Sequence, residues 1–419
     1  MRTLGLILIL AGAALACNAP TSPPVTALPP GSLAATDPPM STQPPVPTAA
    51  PPQQEPQPTP LSIAPLATAR LMETVNALAA IDTRHVNSGG ARTAADQIAE
   101  GFASAGYTPE RQTFPAVVNE QYTDQENVIA RLPGQSDEIV VVGAHYDSRT
   151  VDPFDAAGRA PGAGDNASGA AALLEIARVL AGTTPRHTIV FVAFAGEEVG
   201  MLGSRYFVSQ ADPAAIRAMF ALDSIGGVAA PQDAIRVFSP PPAGSESRWL
   251  AHRVALAAGP QTLDVLVQPT IDRPGRYSDH VPFVEAGVPS VRFIDALEDP
   301  NNHTAFDTPD RVSADYLERA TRLALQSVLA LAYGPQAPPR PTLIDITVQW
   351  EPVPGAERYI VALYREDEPL ETVTVSGVTQ ITGEVFLGAD AIAVAAVDAD
   401  GLAGAFSPPL ILFLLFLGR

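Results

Sequence analysis

The sequence predicts an α/β domain with a mostly parallel sheet and helices on both faces, followed by a smaller antiparallel β-sandwich. Continuous apolar runs such as "EIVVVGAH" and "HTIVFVAF" alternate with helical patterns across residues 66–335, as expected of strands covered on both faces. A proline-rich joint within "PQAPPRP" then interrupts the pattern over residues 336–341. Beyond it, residues 342–419 carry short alternating segments suited to antiparallel strands.

The chain begins "MRTLGLILILAGAALACNAP", with one Arg, an apolar run from Leu4 to Ala16 and small residues before Cys17. This is the layout of a secretory signal over residues 1–17, too short to span a bilayer. Cys17 is the only cysteine, so a disulfide framework is excluded. A Cys directly after "ALA" resembles the lipobox of bacterial lipoproteins, although Ala14 stands where a large aliphatic residue is usual. Two readings follow, a lipid anchor at Cys17 on the cell surface or a plain signal peptide and secretion. Residues 18–65 are rich in Pro, Thr, Ser and Ala, with too little apolar surface to fold, and read as a spacer.

Ordered sequence starts near Leu66. "ATARLMETVNALAAI" spaces Leu71, Val75, Leu78 and Ile81 along one helical face, and "ARTAADQIAEGFASAGY" is a second helix stopped by Gly106. "NVIARLPG", "EIVVVGAH" and "HTIVFVAFAGEE" are strands. The helix "NASGAAALLEIARVLAG" lies between the last two and ends at Gly182. The alternation continues through the strand "AMFALDSIGG", the helix "ESRWLAHRVALAAG" and the strand "VPSVRFID". The helix "SADYLERATRLALQSVLALAYG" closes the unit at Gly334. In the last segment, Trp350 with "PVPGAERYIVALYRE" and "IAVAAVDADGLAG" resembles a fibronectin type III domain. The apolar tail "LILFLLFL" is too short to cross a membrane and reads as a last strand.

With 46% apolar residues the chain can build real cores, and a formal charge of -20 argues against nucleic-acid binding, which needs an excess of Lys and Arg. The functional signal lies at the strand ends. "VVVGAHYDS" delivers His145 and Asp147, "GAGDNASG" Asp165, "AFAGEE" Glu197 and Glu198, "FALDSIGG" Asp223, and "NNHTAFDT" His303. Each alone has a bland explanation: a lone His is usually a bystander, as His85, His187, His252 and His280 are taken to be. Asp165 with Asn166 suits a helix cap, and the glutamate pair a solvated turn. Together they gather acids and imidazoles on the carboxyl edge of a parallel sheet, where ligand sites lie. Such a cluster is stable only around a cation, and carboxylates plus imidazoles without thiolate favour zinc over manganese or cobalt.

These motifs, with "YSDHVPFVEAGVPSV", occur in the order found in the zinc aminopeptidase family, and the resemblance covers Leu66 to Gly334. That family includes secreted bacterial leucyl aminopeptidases, glutamate carboxypeptidase-type enzymes and glutaminyl cyclases. The resemblance implies a mixed eight-stranded sheet, parallel at its centre, and two zinc ions. His145 and Asp223 would hold one zinc, Glu198 and His303 the other, with Asp165 bridging. Asp147 would orient His145 and Glu197 would be the general base. The implied function is hydrolysis of N-terminal residues from peptides with a free N-terminus. Two departures stand out: Asn302 replaces a Tyr common before the last histidine, and "RTVDPFDAAGRAPGAG" makes a long loop expected to overhang the cleft. Glutaminyl cyclases use one zinc and line their site with tryptophan, whereas only Trp249 and Trp350 exist here. A carboxypeptidase on acidic dipeptides would need cations near the substrate carboxylate, and Arg273, Arg276 and Arg292 are available for it, so this alternative stays open. A non-catalytic binding module would be expected to lack ligands, and none is missing.

Overall fold

The computed structural model describes residues 63–228, 232–240, 245–268, 278–365, 368–386 and 388–412. Cys17, nearly all of the spacer, Arg273, Arg276 and the end of the apolar tail lie outside the described residues. Helix α1 (Thr68–Ala79) buries Leu71, Val75 and Leu78, and α2 (Gly89–Ser104) buries Ala94, Ile98 and Phe102, so each turns one apolar stripe inward. Gly106, at φ 95°, ends the second helix in the left-handed region. Strands β1 (Glu110–Val118) and β2 (Gln121–Leu132) then form a hairpin through Asn119 and Glu120, both at positive φ, as a two-residue turn requires.

The remaining elements of this unit are β3 (Ser136–His145), α3 (Ser168–Leu180), β4 (His187–Phe194), α4 (Leu202–Gln210), β5 (Ile216–Leu222), β6 (Ala234–Phe238), α5 (Glu246–Ala257), β7 (Asp264–Gln268), α6 (His280–Glu285), β8 (Ser290–Asp295) and α7 (Ala314–Ala332). Among the described residues the sheet has eight strands in the order β1-β2-β4-β3-β5-β8-β6-β7. Strands β4, β3, β5 and β8 are mutually parallel, while β2 and β6 join this centre antiparallel. The fold is the mixed, centrally parallel α/β sheet that the motifs implied.

Both faces of the centre are dry, which explains the unbroken apolar runs. Val140 and Val142 pack with α1, α3 and α7, whereas Val141 packs with Phe207 of α4 and Phe283 of α6. Each such side chain, fully buried, contributes roughly 1.5–3 kcal/mol. Helix α3 approaches the end of β5 so closely that a Cβ on Gly169 would lie 2.2 Å from the Leu222 carbonyl oxygen. This contact sets the loop carrying Asp165 against the strand that delivers Asp223.

The C-terminal segment contains β9 (Thr342–Ile344), β10 (Thr347–Gln349), β11 (Arg358–Arg365), β12 (Glu368–Ser376), β13 (Gln380–Thr382), β14 (Ala391–Val397), β15 (Ala403–Phe406) and β16 (Leu410–Ile411). Among the described residues they form a three-stranded sheet, β13-β10-β9, and a five-stranded one built on β12-β11-β14-β15, with β16 paired to β14. Val348, Trp350, Tyr359, Val361, Ile392 and Val394 fill one core of this segment. The other face of the larger sheet, through Ala362, Tyr364, Ala393, Ala395 and Phe406, packs on Trp249 of α5. Trp249 meets Tyr364 edge-on, with centroids 4.8 Å apart.

Candidate metal centre

The carboxyl ends of the parallel strands bring the seven sequence-selected residues to one place. His145 is the last residue of β3, Asp223 follows β5 directly, and Glu197 and Glu198 follow β4 after Ala195 and Gly196. Asp165 comes from the turn into α3, and His303 from the loop after β8, at φ 63°. His145 Nε2 lies 3.3 Å from Asp165 Oδ1 and 3.4 Å from Asp223 Oδ1. His303 Nε2 lies 3.0 Å from Asp165 Oδ2 and 3.3 Å from Glu198 Oε2. Asp165 thus turns one oxygen to each imidazole. Ligand-type atoms of His145, Asp165 and Glu198 all fall within 4.8 Å of one another.

Asp147 sits under this cluster. Its carboxylate accepts the backbone N–H groups of Glu197 (3.1 Å) and Glu198 (3.2 Å), and it lies 3.4 Å from His145 Nδ1. One buried acid therefore fixes both the glutamate turn and the surroundings of the β3 histidine. Asp223 keeps Oδ1 toward His145 because Oδ2 accepts from Ser278 Oγ (2.5 Å) and forms an ion pair with Arg292 Nη2 (2.9 Å).

Three contributors escaped the sequence reading. Asp307 accepts from the N–H groups of Gly164 (2.7 Å) and Asp165 (3.0 Å), so the Asp165 turn hangs from the His303 loop. Asn166 ties three elements: Oδ1 accepts from Gly169 and Ser224 N–H, and Nδ2 donates to the carbonyls of His145 and Leu222. Arg84, fully buried, donates to the carbonyls of Leu78, Tyr146, Pro161 and Gly162. These residues act across long sequence separations and carry no local signature. Asp165 itself does not cap α3, whose N-cap is Ala167; the Gly169 N–H of its first turn donates to Asn166 Oδ1 instead.

The charge balance fits a cation. Asp147, Asp165, Glu197, Glu198, Asp223 and Asp279 interact here, against the Arg149 and Arg292 guanidiniums at the site and Arg84 behind it. Burial opposes charge on His145 and His303, yet the surrounding carboxylates hold the His145 imidazole well above its ordinary value and raise His303 to about 10. Burial pushes the Glu197 carboxyl well up, with His145 pulling the other way and Asp223, Glu198 and Asp279 adding to the rise. Among the described residues, Glu198 Oε1 is buried without a hydrogen-bond partner. Anion excess, two imidazoles bracketing a carboxylate and an orphaned oxygen are the features of a hard-cation site, and the donor set of oxygen and imidazole nitrogen suits zinc.

Arg292 corrects an expectation. Its side chain is buried against Asp223, so it is not free for a substrate carboxylate. Asn302 Oδ1 is buried and has no hydrogen-bond partner among the described residues, and it lies 3.5 Å from where a Cβ of Gly164 would stand. His85 contacts the Pro153 carbonyl, His187 contacts Ser136 and His252 lies between Trp249 and Tyr364, while His280 packs on Phe238 beside the cluster, within reach of the Asp223 and Arg292 charges. The long loop after Ser148 does reach the site, through Arg149 Nε, 2.7 Å from Glu198 Oε2.

Residues 127–328 match the model of peptidase family M28. The chain is 31% identical over 366 residues to a probable zinc metalloprotease of Pyricularia oryzae, covering 71% of this chain and 72% of that protein. A probable zinc metalloprotease of Pyrenophora tritici-repentis is 31% identical over 271 residues, covering 55% of this chain and 60% of its own length. The chain thus spans only about 60% of the length of several curated relatives it matches. A solved zinc aminopeptidase from Bacillus subtilis superposes with a TM-score of 0.55 at 20% identity, over 63% of this chain and 95% of that one. At that identity the likeness is one of fold. The chain belongs to peptidase family M28, and its ligand cluster stands at the carboxyl edge of that fold's parallel strands.

Proposed function

We propose that the protein is a dinuclear zinc aminopeptidase that removes N-terminal residues from peptides. The carrying observation is Asp165, whose two oxygens face His145 at 3.3 Å and His303 at 3.0 Å. On this reading His145, Asp165 and Asp223 hold one zinc, and Asp165, Glu198 and His303 the other. Zinc there supplies Lewis-acid polarisation of a carbonyl and acidification of water. Glu197 is the proton carrier. Its carboxyl is half-buried and pushed up, which suits it to take a proton from the attacking water and return it to the leaving amine. Asp147 holds the Glu197 and Glu198 backbone so that the two carboxylates keep separate tasks.

The aminopeptidase named among proteins of the same fold supports exo-cleavage. The alternative of glutaminyl cyclisation is disfavoured because Trp249 and Trp350 are both packed in cores away from the cluster. The test is hydrolysis of leucine anilide against its N-acetylated form, with metal content measured in parallel. Cleavage of the free-amine substrate alone, two zincs per chain, and loss of activity on chelation are expected. Equal cleavage of both substrates, or a single zinc at full activity, overturns the reading. Export, with the Cys17 lipid anchor, completes the proposal on sequence grounds; unchanged membrane fractionation of Cys17→Ser would refute the anchor.

A further inference from the structure

We propose that Arg149 is a specificity residue that binds the carboxylate of the leaving residue, so that the enzyme prefers short peptides with a free C-terminus. This rests on the peptidase reading above. Two arginines touch the ligand carboxylates, and they do so differently. Arg292 is buried and forms an ion pair with Asp223 Oδ2, while the other oxygen of Asp223 faces His145, so Arg292 supports its carboxylate from behind. Arg149 bonds Glu198 Oε2, the same oxygen that lies 3.3 Å from His303 Nε2. It therefore stands on the reacting side of the cluster, with its side chain 20% exposed.

The guanidinium is held but not used up. Nε donates to Glu198 and Nη1 to the carbonyls of Thr150 (3.0 Å) and Val151 (3.4 Å), while Nη2 has no hydrogen-bond partner among the described residues. Its loop is fastened on both sides. His85 Nε2 contacts the Pro153 carbonyl at 2.9 Å, Ala160 N–H donates to the Asp82 carbonyl, and Arg159 Nη1 donates to the Ala305 carbonyl in the His303 loop. A cation so fixed is pre-organised, and binding an anion there costs little ordering.

A divalent cation taken up by Glu198 and His303 competes for the oxygen that Arg149 bonds. Like charges then repel, and the guanidinium needs another anion. A peptide whose scissile carbonyl lies at the cluster places its next carboxylate about one residue away, roughly 3.5 Å of chain. That suits the terminal carboxylate of a dipeptide, held by a charge-assisted, fork-shaped contact. The same cation disfavours an ammonium on that side, so the substrate's amino terminus points the other way.

The test compares kcat/KM for Leu-Leu and Leu-leucinamide in the zinc-loaded protein, its Arg149→Gln and Arg149→Lys variants, with zinc content measured for each. The wild type should prefer the free carboxylate by about 10- to 100-fold, the range of a hydrogen bond to a charged group. Arg149→Gln should collapse that ratio toward unity mainly through KM, and Arg149→Lys should restore part of it. No preference in the wild type, or an unchanged ratio in Arg149→Gln, overturns the proposal. So does a parallel fall on both substrates accompanied by zinc loss, which would make Arg149 only a partner of Glu198. If neither peptide is cleaved, the peptidase reading fails instead. Calorimetric binding of the two peptides to Glu197→Gln protein, with and without Arg149→Gln, still reads the carboxylate preference, and equal affinities there refute it.

Discussion

Replacing Asp307 with Ala tests how the candidate centre is supported. The carboxylate is 1% exposed and accepts the N–H groups of Gly164 and Asp165, and the Asp307 carbonyl accepts that of Ala163. Gly164 lacks a Cβ where one would stand 3.1 Å from Asp307 Oδ1, so the approach depends on glycine. Burial raises the Asp307 carboxyl to about 6, and the two N–H groups are what restrain the rise. Truncation removes two hydrogen bonds to a charged group, each worth about 1.5–3 kcal/mol, for an expected loss of about 3–5 kcal/mol. Relief of repulsion with Asp165 offsets part of this, which favours the lower end. Because Asp165 then loses its backbone tether, zinc affinity should fall by about 10–100-fold, as for other groups that orient a ligand. Asp307→Asn keeps one acceptor and should fall between the two. Urea unfolding of the zinc-free proteins gives the stability term, and chelator competition gives the affinity. Zinc affinity within twofold of wild type in Asp307→Ala would refute the positioning role, whatever the stability change.

Glu197→Gln should keep both metals and lower turnover by about 10²–10⁴-fold, whereas Glu198→Gln should lose metal and recover partly with excess zinc. The reverse pattern in metal analysis would exchange their roles. His252 is buried between Trp249 and Tyr364 with neither ring nitrogen partnered among the described residues, and burial, aided by Arg248, lowers its pKa from 6.5 to about 4. The unfolded chain therefore takes up the proton first, and stability is lost as pH falls from 6.5 toward 4, by about 2 kcal/mol at pH 5. His252→Phe keeps a ring there and should remove that part of the acid sensitivity; equal pH 7-to-5 losses in both proteins would count against it.

The periodicity of the chain was enough for its central architecture. Val140 to Ala144 and Ile189 to Phe194 are apolar without alternation because helices cover both faces, and a run of that kind has few other stable placements. His145, Glu197, Glu198 and Asp223 were legible because each ends or closely follows such a run, and strand direction carries them to one edge, whereas Asp165 and His303 reach it from loops. The hairpin of β1 and β2 was only half read, since β1 mixes exposed and buried residues, and the short strands β6 and β7 have too few residues for a pattern. In β14 the sequence "AIAVAAV" suggested an ordinary sandwich strand. It is buried on both sides, its alanines leaving room for Phe406 and for Trp249 of the larger domain.

Which residues support the candidate centre was decided by tertiary structure alone. Asp307 bonds a residue 143 positions earlier, and Asn166 joins a strand 56 positions later, so neither is marked by its neighbours in the chain. Arg149 and Arg292 are alike in type, and their different tasks come from which carboxylate oxygen each one reaches. Local sequence determines backbone conformation and which side chains seek the core. Hydrogen bonds between distant loops are selected only when packing brings buried donors and acceptors together and leaves them no water to bond instead.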